Sequence, residues 1–115
     1  MGEATSALGD VVVNTPAVTT FAKSVDAASL KTDVSGVVVA TAGNKVVIQG
    51  GSITTSGDQH FAELVVLGNG SHATVLNTTN SNVAFDKAIV NASATAQDLT
   101  INAGTGHVTF TGAVG

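Results

Sequence analysis

Residues 76–89 read LNTTNSNVAFDKAI, and 25 positions further on residues 101–114 read INAGTGHVTFTGAV. Laid over each other, the two stretches keep Asn77 with Asn102, Val83 with Val108, Phe85 with Phe110 and Ala88 with Ala113. Leu76/Ile101 and Ile89/Val114 keep a branched aliphatic. The shared pattern is an apolar residue, Asn, a turn of small residues, an alternating apolar-x-Phe strand and a further aliphatic. A fixed period of this kind is the mark of stacked repeats, and a period near 25 holding two or three short strands predicts an all-β fold, a parallel β-helix (β-solenoid) of about four to five coils of roughly 25 residues. Each strand then pairs with its counterpart one coil later. Phe85 should lie on Phe110, Val83 on Val108, and Asn77 on Asn102 as an amide ladder.

The signature recurs upstream with slippage. Val39 to Ile48 matches Ile101 to Phe110, with Ile48 in the place of the Phe, while Val13 to Phe21 and Ile53 to Phe61 fit with one residue fewer in the turn. Every Phe has an aliphatic four residues on, in the pairs Phe21/Val25, Phe61/Val65, Phe85/Ile89 and Phe110/Val114. The expected core anchors are therefore Phe21, Ile48, Phe61, Val83, Phe85, Val108 and Phe110. Their spacing is uneven, and Phe61 falls either half a turn out of step or on a different strand of the repeat. Val25-Asp26-Ala27 resembles Val90-Asn91-Ala92, which predicts a turn; a single helical turn capped by Asp26 is the alternative for Asp26–Thr32. Short β-rich runs such as Val37–Ala40, Val46–Ile48 and Leu64–Leu67 alternate with turns at Gly43-Asn44, Gly57-Asp58 and Gly68-Asn69-Gly70. Residues 1–10 read as an extension or a lead-in to the first coil, and 11–115 as a single domain.

Composition agrees. Val, Ile and Thr make 38 of 115 residues, which favours pleated surface over helix, and Ala and Val supply 35 of the 50 apolar residues, which predicts a thin core. Four Lys (23, 31, 45, 87) face eight carboxylates with no Arg, for a net charge of −4. That balance argues against nucleic-acid partners and anionic membrane surfaces. No run is apolar and long enough for a spanning helix, so membrane insertion is not expected, and residues 1–10 lack a signal-peptide pattern. Without Cys there are no disulfides or thiolate sites.

The phrases ITTSGDQ (53–59) and LTINAGTGHVTFTGAVG (99–115) resemble the repeats of filamentous-haemagglutinin-type surface proteins, closely over about residues 50–115 and loosely over 10–50. The resemblance implies a right-handed β-helix exported to the bacterial surface as a stalk or adhesive fibre. It also implies an extracellular or cell-surface location and a function in adhesion rather than catalysis. The partners it suggests are host or matrix glycans and flanking repeats of the same protein.

Reactive groups are scattered. His60, His72 and His107 flank different strands without metal-ligand spacing, and the best carboxylate pairings, Asp26/Asp33 and Asp86/Asp98, form no compact motif. Turn carboxylates, no enzyme and no cofactor are the expectation. A polysaccharide-cleaving enzyme would rest on Asp86. Thr pairs at 19–20, 54–55 and 78–79 invite comparison with ice-binding faces, but Thr109 and Thr111 fall over Ala84 and Asp86, which breaks the row. Sequons at Asn69, Asn77 and Asn91 support surface turns only. The sequence stops within the signature. The expectation is either a piece of a longer adhesin or an open end completed by another copy in a head-to-tail filament.

Overall fold

Phe85 and Phe110 do lie on one another, and so do the strands that carry them, in a computed structural model that describes residues 7–32, 44–68, 73–92 and 96–115. The expected strand Val37–Ala40, the turns at Gly43 and Asn69-Gly70, Asp33, His72, the start of the 1–10 extension and Ser93 of the third sequon lie outside the described residues. The strands are β1 (Leu8–Val13), β2 (Val18–Phe21), β3 (Val25–Thr32), β4 (Lys45–Ile48), β5 (Ser52–Thr55), β6 (Gln59–Phe61), β7 (Leu64–Leu67), β8 (Thr74–Thr78), β9 (Val83–Phe85), β10 (Ile89–Asn91), β11 (Leu99–Asn102) and β12 (Val108–Phe110). Every pairing among them is parallel.

Two sheets result. One runs β10-β7-β4-β2; the other, of eight strands, runs β11-β8-β5-β3-β6-β9-β12, with β1 on β3. Their inner faces share one core of Phe21, Val25, Leu30, Val46, Ile48, Ile53, Phe61, Val65, Leu76, Val83, Phe85 and Ile89. Alternation along the strands feeds it: in β4, Val46 and Ile48 are fully buried while Lys45 and Val47 stay half-exposed. Each buried Phe, Leu or Ile is worth about 1.5–3 kcal/mol, so a core without Trp, Tyr or disulfides rests on many modest contributions.

The larger sheet bends at β3. Val25 and Ala27 are buried, then Leu30 and Thr32, so the inward phase slips by one residue at Ala28-Ser29. The first half of β3 pairs with β5 and the second with β6. Small side chains at the slip let one continuous strand turn the corner. The turn, or capped helical turn, expected at Asp26–Thr32 is replaced by this strand.

The sheet architecture also corrects the expected right-handed parallel β-helix of four to five coils. The described residues form a compact body of 36 × 34 × 25 Å, not a slender column, and the larger sheet curves through β3 into a nearly closed, barrel-like wall. The cause lies in the corners. From Asp26 through Thr54 and Asn77 to Asn102, paired positions are 28, 23 and 25 residues apart; from Thr19 through Val46 and Val65 to Ile89 the steps are 27, 19 and 24. The 25-residue period that suggested equal coils holds only at the C-terminal end.

Candidate functional site

Columns of paired residues organise the molecule, and the expected anchors fall on three of them. Thr32, Phe61, Phe85 and Phe110 share the first. Its rings stack at centroid distances of 5.2 Å (Phe61–Phe85) and 5.4 Å (Phe85–Phe110), nearly parallel at 9° and 4°. Phe61 is thus in step with Phe85, directly before it in the stack. Beside it runs Leu30, Gln59, Val83 and Val108. Phe21 and Ile48 belong elsewhere: they pair with each other in the four-stranded sheet, where Leu67 follows. Phe21, Ile48, Phe61, Val83 and Phe85 are buried, whereas Val108 and Phe110 are 39 % and 45 % exposed.

The polar flank is also laddered. The Asn102 side-chain amide donates to Asn77 Oδ1 at 2.8 Å, and the Asn77 amide reaches Thr54 Oγ1 at 3.4 Å. A second ladder runs through the corners. Asp58 Oδ1 accepts from the Asn82 backbone N–H at 2.8 Å, and Asn82 Oδ1 accepts in turn from the His107 N–H at 2.9 Å. Asn80, at a positive φ of 54°, accepts from the Thr105 N–H at 3.0 Å. Each corner side chain therefore satisfies a backbone donor of the next corner. The approach is close enough that a Cβ on Gly106 would stand 2.1 Å from the Ser81 carbonyl oxygen.

Two features were hidden in the sequence. Gln59 is fully buried in an otherwise aliphatic column, where its amide nitrogen donates to the carbonyls of Ile53 (3.1 Å) and Asn77 (2.9 Å). Placing Phe61 over Phe85 would have revealed it, because Gln59 then lies over Val83. The same 24-residue step brings His60 beside Asp86, with Nε2 at 3.0 Å from both carboxylate oxygens. Their side chains are 35 % and 43 % exposed, so the pair is a surface contact worth about 0–1 kcal/mol. Among the described residues no group of three or more His, Asp or Glu is arranged to hold a metal ion. A shallow concavity of about 300 Å³ on the flank is lined by Asp26, Thr54, Ser56 and Thr79 with Ala7, Leu8 and Ala28.

Among the described residues, the large apolar side chains left exposed are Leu8, Val12, Val18, Val108, Phe110 and Val114. All lie on the outermost strands, β1 and β2 at one end and β12 with the Val114 bridge to Ile89 at the other. The flank between carries hydroxyls, amides and isolated charges. No family model, curated protein or solved structure matches the chain.

Proposed function

We propose that this chain is a non-catalytic structural and adhesive element of an exported bacterial surface protein, joined to its neighbours through its two ends. The observation that carries this reading is that, among the described residues, the exposed large apolar side chains are confined to the two outermost edges. Exposed apolar surface on a parallel sheet edge, beside backbone groups able to pair, marks a place where further strands belong. The resemblance of residues 53–59 and 99–115 to filamentous-haemagglutinin-type repeats supports the surface location. The hydroxyl- and amide-rich flank is the face that host or matrix glycans would meet.

The test is a tandem fusion of two copies through a short flexible linker, unfolded at concentrations where the single chain is monomeric. Joined ends should give one cooperative transition with a midpoint higher by about 5 °C or more. Two halves melting independently at the temperature of the single chain would overturn the proposal.

A further inference from the structure

We infer that a second copy of this chain seats its β1–β2 end on the β12 end of the first, in one fixed register, so that copies add head to tail into an open filament. The inference rests on the reading above that the ends do the joining, and adds which partner they take and how.

The columns run the length of the molecule and surface at both ends. Val11, Leu30, Gln59, Val83 and Val108 form one; Val13, Thr32, Phe61, Phe85 and Phe110 form the next. Across the core, Thr19, Val46, Val65, Ile89 and Val114 form the third. One end therefore offers Val11, Val13 and Thr19 at the positions where the other offers Val108, Phe110 and Val114. Val11 and Val13 already pack against the core on one side. A copy carried along the columns sets Val13 on the open face of Phe110 and Val11 on Val108, as each residue sits on its counterpart inside the molecule. All strands are parallel, so the joint keeps the same sense and is heterologous, which does not close into a pair.

Backbone and charge follow the same register. Leu30 N–H donates to the Asp58 carbonyl, Gln59 N–H to Asn82 and Val83 N–H to His107. The next step is Val108 N–H to the carbonyl of Asp10 in the second copy, because Asp10 pairs with Ser29, the residue before Leu30. That step also brings the exposed Asp10 carboxylate to the exposed His107 imidazole, an acidic group against a basic one.

The experiment uses the whole chain. Sedimentation over a wide concentration range should show growing, polydisperse assemblies. F110K blocks one end and V13K the other, so each alone should weaken association at least about tenfold, while an equimolar mixture should form a 1:1 dimer through the two intact ends. The chain has no cysteine. A V13C/F110C double variant should therefore give a reducible ladder of oligomers on oxidation, and V13C alone should not pair. The cysteine readout holds even where a lysine variant fails to fold. A chain that stays monomeric throughout, or V13C homodimers as abundant as the ladder, overturns the inference. If the tandem fusion still melts as one unit, the joining role survives, and what falls is the association of unlinked copies in the register of Val13 on Phe110.

Discussion

Phe85 is the residue on which the stack depends most, because its ring is covered on both faces, by Phe61 and by Phe110. F85A opens a cavity between two rings and should cost about 3–5 kcal/mol in denaturant unfolding. F110A removes a ring with one open face and should cost clearly less. Polar positions divide in the same way. N82A deletes the acceptor for the His107 N–H and should cost about 1 kcal/mol, whereas D86A breaks only the exposed contact to His60 and should change stability by less than about 1 kcal/mol. An equal loss from both would contradict the corner ladder as a structural device.

At the scale of elements, the corners set the register. Between the stack of β5, β8 and β11 and the stack of β6, β9 and β12, both of which begin on β3, the chain spends two residues within β3 (Ala28-Ser29), three after β5 (56–58) and four after β8 (79–82). Corners tolerate length, but strands do not, because one residue added within a strand turns every later side chain to the other face. A glycine inserted between Thr79 and Asn80 should lower the melting temperature by a few degrees. The same insertion between Val83 and Ala84 should abolish the cooperative transition. This asymmetry also explains what the sequence made legible. The Val-x-Phe strands and the Asn77/Asn102 pair could be read because Asn77 to Val83 and Asn102 to Val108 are the same number of residues apart. Phe61, Gln59 and the His60–Asp86 contact were obscured by a corner one residue shorter. The strand β3 was missed because the small residues of Asp26–Thr32 look like a turn, and their role as a bend within a strand depends on pairing with both β5 and β6. The overall form was misjudged for the same reason: equal coils were extrapolated from a period that holds at one end only.

For the whole molecule, the parallel pairings put strands side by side that lie 19 to 29 residues apart in the chain. Few stabilising contacts are local, so folding should be slow for a chain of this size, and stability should be concentrated where strands have neighbours on both sides. The strands β6, β9, β4 and β7 are flanked on both edges, whereas among the described residues β1 and β12 have one neighbour each. In dilute solution, amide exchange should be slowest at Phe61, Val83 and Val65 and fastest at Val108 and Phe110. Raising the concentration should slow exchange at Val108 and Phe110 selectively, since only a strand added to that edge can cover their N–H groups. Uniform slowing across all strands would instead indicate general stabilisation without a joint at this edge. Protection of β12 with none gained by β1 would show an edge being covered by something other than the opposite end of another copy.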